Sequence, residues 1–449
     1  MIDLPQGVSF LIKELESAGY EAWAVGGCVR DSLLGLAPHD WDICTNAQPE
    51  QTLAVFMGRR VIETGIKHGT VTVMLDNVPY EVTTYRTDGV YTDSRRPDSV
   101  SFVLSLKEDL SRRDFTVNAM AYHPSHGLYD AFGGAEDLKS KIMRCVGDPA
   151  IRFQEDALRI MRALRFSATY GFSIEEKTAQ ALLDLKDRLL LIAPERIREE
   201  LMRLIIGTGA AYVLREYAPV IFTVLPELAP MYNHEQFNPC HHLNIWEHTL
   251  QSVSAMAPDP VLRLAMLLHD AGKPACFFRD EKGVGHFYGH PKESLKLAGT
   301  VMTRLRFDNQ TMKTVEELVL HHDDVISAKE KNVLHWLGRI GETRFRQLIA
   351  VKHADALAQH PFKREEKLRD IESLECCLHL VLQMKLPYKL KDLAITGEDL
   401  KAIGIAPGPQ VGRMLNTLLE QVMDGELPNE KDALLKAAPK VSDKTLQFR

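Results

Sequence analysis

The stretch from Val25 to Asp42 reads VGGCVRDSLLGLAPHDWD, and its order of residue types decides the expected fold. Just before it, the apolar run at residues 23–25 is typical of a buried strand. The Gly26-Gly27 pair permits a tight turn and a close approach of the backbone to a ligand. We expect a helix to start near Val29, so that its N-terminal N–H groups and Arg30 together form an anion site.

Two carboxylates, Asp40 and Asp42, end this stretch. Side chains two apart on a strand project from one face, so both are predicted to hold one or two Mg²⁺ ions. Two such ions lie roughly 3.5–4 Å apart in phosphoryl-transfer sites. A Gly-Gly pair alone is usually a turn, and an Asp-x-Asp pair alone is usually a solvated surface feature. Their combination favours a nucleotide and metal site, and its order resembles the nucleotidyltransferase superfamily that includes DNA polymerase beta.

Length and composition indicate a globular protein of several domains. A chain of 449 residues is too long for one ordinary core, so three or more domains are expected. No apolar run approaches the ~20 residues that span a bilayer, and the first ten residues lack the basic start of a signal peptide. A cytoplasmic location without a membrane partner is therefore expected. Seven cysteines without a Cys-x-x-Cys pair argue against a disulfide framework and a structural zinc site.

The net charge of −7 would by itself count against a nucleic-acid partner, because phosphate binding depends on Lys and Arg. The total hides a local contrast, since arginines are concentrated between residues 152 and 203. A local basic face that binds nucleic acid is compatible with this distribution.

The N-terminal part is predicted to be a small α+β structure. An amphipathic helix precedes the first strand, and a second helix is expected at Pro49–Met57. Two strands joined by a hairpin turn are expected next, at Thr70–Leu75 and Tyr80–Tyr85. Glu81 is a candidate for a third metal-binding carboxylate, although an exposed strand glutamate is the more common case. The turn-rich segment 86–97 is expected to be a loop.

Arg112, Arg113, Asp114 and Asn118 gather near another predicted helix start. One interpretation is a capped helix with surface ion pairs. The other is a triphosphate and ribose clamp, because guanidinium groups bind phosphate oxygens and Asp or Asn binds sugar hydroxyls.

Several motifs occur in an order that resembles the bacterial class II tRNA nucleotidyltransferases, the CCA-adding enzymes: GGCVRD, DWD, EVTTYRTDG, RRPDSV, SRRDFTVNA, DAFGG and QEDALRIMRALRF. The resemblance covers nearly the full chain. It implies a fold of class α+β, with a nucleotidyltransferase head (1–136), a helical neck (137–230), an HD-type helical body (231–360) and a helical tail that grasps tRNA (361–449). The implied activity is stepwise transfer of CMP, CMP and AMP from CTP and ATP to the 3′ end of tRNA.

The resemblance also implies roles for individual residues. Gly27 and Arg30 would bind triphosphate, and Asp156 with Arg159 would read the base. Asp156, Arg159, Arg162 and Arg165 recur at every third residue. Three residues fall about 60° short of a helical turn, so Arg165 must reach round the helix or point elsewhere. Ion pairs on a helix surface explain the same spacing without any function. The predicted nucleotide-binding set is Gly26, Gly27, Arg30, Arg113, Asp114, Asp156, Arg159, Arg162 and Arg165.

A second constellation lies between residues 241 and 355 and includes the adjacent pair His269-Asp270 in an apolar helix. It resembles the HD phosphohydrolase superfamily. Imidazole and carboxylate ligands suit Mn, Fe, Ni or Zn better than Ca. His321 adjoins His322 and His242 precedes His248, so the ligand choice stays open at these two places. The predicted ligands are His248, His269, Asp270, His290, His322 and Asp355.

The resemblance implies that some enzymes with this domain hydrolyse phosphomonoesters or 2′,3′-cyclic phosphates, whereas in others the helices merely support RNA. Alternatives within the transferase class are CC-adding, A-adding or poly(A)-adding relatives. The loop at 86–97 favours complete CCA addition, because CC-adding relatives have a shortened loop there. Outside that class, the chain could be an HD phosphohydrolase with a non-catalytic head, or an RNA-binding protein without catalysis. Nothing in the sequence fixes the oligomeric state.

The C-terminal part is punctuated by turn-forming residues and carries no catalytic signal of its own. Residues 361–369 are expected to be a polar break, followed by an amphipathic helix at Ile371–Leu386.

Overall fold

The computed structural model describes residues 2–89, 100–239 and 242–446. The chain forms two compact units, Met1–Ala229 with Thr303–Phe307, and Pro230–Met302 with Asp308–Arg449. The finer division at residues 136, 230 and 360 stays a prediction. None of the helices in the described part of the chain has the length and apolar character needed to cross a membrane.

The first unit contains both strands and helices. Its strands are β1 Ala22–Val25, β2 Asp42–Thr45, β3 Val61–Ile62, β4 Thr70–Leu75, β5 Val78–Thr84, β6 Arg86–Asp88, β7 Val100–Phe102, β8 Met120–His123, β9 Gly127–Asp130, β10 Ile142–Met143 and β11 Ser173–Ile174. Its helices are α1 Gln6–Ser17, α2 Gly27–Leu33, α3 Pro49–Val55, α4 Leu106–Ser111, α5 Gly134–Ser140, α6 Pro149–Glu155, α7 Leu158–Tyr170, α8 Glu176–Asp184, α9 Pro194–Ile205, α10 Ala210–Glu216 and α11 Ala218–Val224.

The second unit is almost entirely helical. Its helices are α12 Ile245–Ala255, α13 Pro260–Leu268, α14 Lys273–Cys276, α15 His290–Arg304, α16 Asn309–His321, α17 Glu330–Leu357, α18 Pro361–Gln383, α19 Gly397–Ala402, α20 Pro409–Met423 and α21 Lys431–Leu446. A small hairpin is formed by β12 Phe278–Arg279 and β13 Gly285–His286. The predicted α+β class, with a sheet-containing head followed by helices, is confirmed.

One sheet of seven strands in the order β3-β4-β5-β2-β1-β8-β9 organises the first unit. Strand β2 runs parallel to β5 and antiparallel to β1, so the sheet is mixed. Helix α1 buries the side chains at its i, i+3, i+4 and i+7 positions, as the amphipathic pattern predicts. The predicted β4–β5 hairpin is also confirmed, and its turn places Asp76 and Asn77 at φ 49° and 63°, as a type I′ turn requires.

The structure differs from the expectations for two segments, residues 361–369 and residues 86–88. Residues 361–369 are not a break but the first turns of α18, because Pro361 starts the helix and the charged residues pair along it, as Lys363 does with Glu366. In the segment 86–97, Arg86–Asp88 is a strand that pairs with β7, whereas residues 90–97 lie outside the described part.

Candidate active site and metal centre

The carboxylate of Asp42 lies at the start of β2, opposite Val25 in β1 and beside Glu81 in the parallel strand β5. Neighbouring residues in a parallel pair project from the same face, so Asp42 and Glu81 share one face of the sheet. The predicted strand does not extend back to Asp40, whose side chain is 82% exposed and contacts His39 at 3.0 Å. The pairing with β1 starts only at Asp42, and this is why Asp40 belongs to the preceding loop.

The surroundings of Asp42 favour a cation. Burial, followed by the charge of Glu81, raises the pKa of Asp42 to about 6, and Arg113 only partly offsets this while Asp40 adds to it. A carboxylate that is hard to ionise beside two other carboxylates gains most from a divalent cation. Among the described side chains, these three acids do not form a set whose ligand atoms all lie within 4.8 Å of one another. Their residue types nevertheless fit the oxygen ligands that Mg²⁺ prefers.

The Gly26 turn brings the backbone against Arg113. Gly26 has φ 84° and ψ −128°, and a Cβ at this position would lie 2.8 Å from the Arg113 Nη1 atom. Only glycine accommodates both the backbone angle and the guanidinium. Helix α2 begins directly afterwards, at Gly27, two residues earlier than expected. The turn and the guanidinium thus lie side by side, where a triphosphate would need both.

Asp109 is a functional candidate that the sequence reasoning missed. It is fully buried and accepts hydrogen bonds from Arg112 Nε and Nη2 at 3.0 and 2.8 Å, while Arg113 lies 3.5 Å away. Burial lowers the pKa of Arg113, but Asp109 and Asp42 outweigh it and raise the pKa overall. The sequence does indicate this contact, because Arg112 and Arg113 follow Asp109 by three and four residues, the spacing at which side chains meet on a helix.

Asp114 is fixed by helix α7 rather than exposed to solvent. Arg162 donates to its Oδ2 atom at 2.8 and 2.6 Å, and Asn118 donates to Oδ1 at 3.1 Å. Burial acts to raise the pKa of Asp114, but Arg162 and the Asn118 amide outweigh it and lower the pKa to about 2. Asp114 is therefore an ionised acceptor at neutral pH.

Arg30 is buried as well, being 6% exposed. Its Nη1 donates to Asn118 and its Nε donates to Asp31 at 2.9 Å. The guanidinium lies 4.7 Å from the ring centroid of Tyr170 and 5.1 Å from that of Phe166. Arg30 is thus bonded within the protein, and aromatic rings of α7 enclose its guanidinium, while its role as a triphosphate ligand stays a prediction.

The motif starting at Asp156 is not one continuous helix, which corrects the predicted row of every third residue. Asp156 has extended angles between α6 and α7, and its Oδ1 accepts the N–H of Leu158 at 3.0 Å. The side chain thereby caps the start of α7. Its Oδ2 accepts from Arg196 of α9 at 3.1 Å.

The arginines of α7 are held by acids and carbonyls. Arg159 donates to Glu155 at 2.6 Å and to the Arg112 carbonyl at 3.0 Å. Arg165 donates to Glu200 of α9 and its guanidinium lies 3.7 Å from the Phe166 ring centroid. The helix at residues 194–205 thus braces α7, and the bond to the Arg112 carbonyl fixes Arg159 next to the Arg112–Asp114 segment.

The second unit gathers all six residues of the predicted HD site. His248 Nε2 lies 2.9 Å from Asp355 Oδ1 and 3.5 Å from Asp270 Oδ2. The Nε2 atoms of the other three histidines lie within 3.7 Å of an Asp270 oxygen, at 3.2 Å for His269, 3.4 Å for His290 and 3.7 Å for His322. They reach this point from α12, from the ends of α13 and α16, and from the start of α15, while Asp355 comes from α17.

Each of these histidines is oriented through its other ring nitrogen. Each Nδ1 atom faces a backbone carbonyl. The distances are 3.2 Å from His248 to Ala358 and 2.6 Å from His269 to Met266. They are 2.9 Å from His290 to Phe287 and 2.7 Å from His322 to Val319. A carbonyl can only accept, so each Nδ1 donates to its carbonyl and each Nε2 faces the centre, where a neutral ring can bind a cation. This is the arrangement that metal-binding histidines normally have.

The charges at this centre also fit a cation. Burial lowers the pKa of His269, but Asp270 and Asp355 outweigh it and raise the pKa to about 10. The buried Nε2 atom of His269 has no hydrogen-bond partner among the described residues. A divalent cation would satisfy this nitrogen and the two buried carboxylates together, which a proton does poorly. Lys273 lies 2.7 Å from Asp270 and supplies a second positive charge.

At the two places where the ligand choice was open, the geometry favours His322 over His321 and His248 over His242. His321 turns its Nδ1 to Asp324 at 2.7 Å and its ring lies edge-on to Trp336, whereas His322 faces Asp270. His242 is exposed and contacts the ring of His360. Above the centre is a cavity of about 250 Å³, whose lining includes Lys273, His286, Tyr288 and Lys367.

Three family models match parts of the chain. Residues 22–144 match the poly A polymerase head domain, residues 171–230 match a probable RNA- and SrmB-binding site of polymerase A, and residues 292–438 match a putative second domain of tRNA nucleotidyltransferase.

Similar proteins and structures extend over almost the whole chain. The CCA-adding enzyme of Lactobacillus helveticus is 36% identical over 95% of this chain and 94% of its own length, and that of Leuconostoc mesenteroides is 35% identical with the same coverage. The crystal structure of the Bacillus stearothermophilus CCA-adding enzyme in complex with CTP is 29% identical, with a TM-score of 0.72 and 99% coverage of both chains. The Thermotoga maritima enzyme complexed with tRNA, at 21% identity and a TM-score of 0.62, shares the fold. The chain therefore belongs to the family of CCA-adding enzymes, the tRNA nucleotidyltransferases.

Proposed function

We propose that this protein adds CMP, CMP and AMP, taken from CTP and ATP, to the 3′ end of tRNA in the cytoplasm without a nucleic-acid template. The observation that carries the proposal is the position of Asp42, which lies beside Glu81 at the strand end where the Gly26 turn meets Arg113. In each step the tRNA 3′ oxygen attacks the α-phosphorus, the bond to the β-phosphate oxygen breaks and pyrophosphate leaves.

In this proposal the head residues bind and orient the reactants. Asp40 and Asp42 hold Mg²⁺, with Glu81 adding negative charge. When bound, Mg²⁺ lowers the pKa of the attacking hydroxyl and neutralises charge on the leaving pyrophosphate. The N–H groups at the Gly26-Gly27 turn and the guanidinium of Arg113 bind phosphate oxygens, and Arg113 stays charged because Asp109 stabilises its protonated form.

Asp156 and Arg159 are proposed to read the base. Cytosine and adenine both present an amino donor beside a ring-nitrogen acceptor, which an Asp acceptor and an Arg donor match, whereas uracil and guanine reverse that order. A good bidentate contact discriminates by roughly 1–3 kcal/mol. Arg196 donates to Asp156, and Arg159 donates to Glu155. These bonds hold the two side chains in place before a base arrives, so binding requires little further ordering. Arg162 and Arg165 act through Asp114 and Glu200.

The test is incubation of tRNA lacking its 3′-terminal CCA with each labelled nucleotide. Complete activity gives two CMP additions followed by one AMP and then stops. Addition of CMP without any addition of AMP would indicate a CC-adding relative. Addition of AMP alone, and only to tRNA that already ends in CC, would indicate an A-adding relative. A long adenosine tail would indicate a poly(A)-adding relative. Absence of all transfer by folded protein would overturn the proposal.

A second activity is favoured by the four histidine Nε2 atoms that converge on Asp270. We propose that this centre holds Mn, Ni, Fe or Zn and hydrolyses phosphomonoesters or 2′,3′-cyclic phosphates, with Lys273 and Lys367 contributing positive charge at the cavity. Metal content after dialysis and hydrolysis in a screen of divalent ions test this. Retention of no metal, together with no hydrolysis under any ion, would leave the helices with a supporting role only.

A further inference from the structure

A continuous series of hydrogen bonds connects two residues of helix α7, Arg162 and Tyr170, through side chains outside that helix. Arg162 donates to Asp114 at 2.8 and 2.6 Å, and Asn118 donates to the other oxygen of Asp114 at 3.1 Å. Arg30 donates to Asn118 and to Asp31, and the hydroxyl of Tyr170 donates to the same Asp31 oxygen at 2.9 Å. We call this set the polar circuit: Arg162, Asp114, Asn118, Arg30, Asp31 and Tyr170.

The polar circuit is largely shielded from solvent. Arg30, Asn118 and Asp114 are 6%, 7% and 8% exposed, and the side chain of Asp31 is 19% exposed. In addition to the hydroxyl bond, the ring of Tyr170 contacts the Arg30 guanidinium and packs against Phe166 at a ring-centroid distance of 6.1 Å. A shielded network whose members are each bonded on two sides holds its geometry more firmly than separate surface pairs do.

The circuit joins the segments that would handle the two ends of a nucleotide. Arg30 and Asp31 lie on α2, whose first residue is Gly27 of the turn against Arg113. Asp114 follows Arg113 directly. Helix α7 begins two residues after Asp156 and carries Arg159. Arg162 and Tyr170 are eight residues apart, about 12 Å along that helix, so the two attachments resist both sliding and tilting of α7.

We propose that Asp31 and Tyr170 are positioning residues, which act through Arg30 to keep the Gly26-Gly27 turn in fixed register with the base-reading segment at Asp156–Arg159. The inference rests on the proposed nucleotide transfer and extends it to two residues that would touch neither nucleotide nor tRNA. It also gives Arg30 a purpose consistent with its burial. Displacement of a reacting group by 1 Å can cost on the order of a hundredfold in rate, so even slight loosening of the register is measurable.

The variant that tests this is Tyr170→Phe, which removes the hydroxyl but retains the ring against Arg30 and Phe166. Expected results are a roughly tenfold lower kcat for CMP and AMP addition and a comparable loss of discrimination between CTP and UTP, because the α-phosphate and base contacts are no longer in register. The matched control is Tyr232→Phe, outside the head and the neck, where the side chain is 48% exposed. It is expected to leave both quantities unchanged.

Asp31→Asn is the second variant, and it should reproduce the loss of discrimination. The double variant should cost less than the product of the single effects, since both break the same connection. A merely structural role would lower the melting temperature of Tyr170→Phe while leaving kcat and the CTP-to-UTP ratio at wild-type values, and that result would overturn the inference. A wild-type protein that transfers no nucleotide would instead overturn the proposed function, and the inference with it.

Discussion

The two metal centres proposed for this chain are built in opposite ways. In the head, the carboxylates belong to one short stretch and a neighbouring strand, and Asp40 is 82% exposed. In the helical unit, the ligands come from five helices or their ends, and all four histidines are oriented by carbonyls. An open carboxylate site suits a cation that arrives and leaves with each nucleotide. A buried imidazole site suits a cation that stays.

This difference explains why the pKa shifts differ as well. Asp42 has a raised pKa because burial and then the charge of Glu81 disfavour its ionised form, whereas Asp270 has a pKa well below its usual range because His269 and Lys273 outweigh its burial. The acids of the head site add to the negative charge around Asp42, whereas histidine and lysine offset part of the charge of Asp270 in the helical site. Burial acts to raise the pKa of both carboxylates, so the neighbouring charges decide whether that rise is kept or reversed.

The largest expected effect is that of Asp42→Asn. The substitution keeps the size of the side chain but removes the charge that holds the cation, and several kcal/mol of transition-state stabilisation corresponds to roughly a thousandfold in rate. Labelled CMP incorporation into tRNA should fall by at least that factor, while metal retention at the histidine site is unchanged. The control is Glu199→Gln on the exposed face of α9. Near-normal addition by folded Asp42→Asn protein would contradict the assignment of the metal ligand.

The adjacent histidines offer the next largest effect. His322→Ala should lose bound metal and phosphohydrolase activity by roughly 10- to 100-fold or more, because a convergent nitrogen is removed. His321→Ala should retain both, since that ring faces Asp324 and Trp336. Metal analysis of both proteins after dialysis makes the comparison, with nucleotide addition as the internal check of folding. Equal retention by the two variants would show that position 322 is not a ligand.

Base selection is expected to change more modestly. Asp156→Ala or Arg159→Ala should relax exclusion of UTP and GTP by about 1–3 kcal/mol, roughly 5- to 150-fold in the ratio of kcat/KM values. Misincorporation assays with all four nucleotides measure this. Arg198→Ala, on the same neck but bonded to the Arg306 carbonyl, should mainly change the overall yield. Unchanged discrimination in both motif variants would place base reading elsewhere.

The smallest effect concerns pH. With the pKa of Asp42 at about 6, its carboxylate gains a proton as the pH falls through that value, and its attraction for Mg²⁺ declines. Addition should therefore weaken below about pH 6, and more Mg²⁺ should restore it. In Glu81→Gln one of the charges that raise this pKa is gone, so the acid limb should move to lower pH, by less than about one unit. Profiles of kcat/KM against pH at two Mg²⁺ concentrations test the shift, and an acid limb that moves to higher pH would contradict it.

The sequence by itself determined several secondary-structure elements and the family of this protein, because these depend on residues that are close together in the chain. The spacing of apolar residues predicted α1, the β4–β5 hairpin and the helical character beyond the head, because burial of one face imposes a period on neighbouring residues. Motif order predicted the family. Adjacent pairs such as His269-Asp270 pointed to their chemistry, since both ligands are already close along the chain.

Tertiary structure alone decided which long-range partners each side chain meets. Asp355 reaches His248 across 107 residues, and His322 rather than His321 faces the centre because of where α16 ends. Arg30 looks like a phosphate ligand beside its glycines, yet the rings of α7 enclose it and Asn118 bonds it. The sequence states which residues are charged. Whether a charged side chain can bind a ligand depends on the hydrogen-bond and ion-pair partners it has in the folded protein, and only tertiary packing brings those partners together.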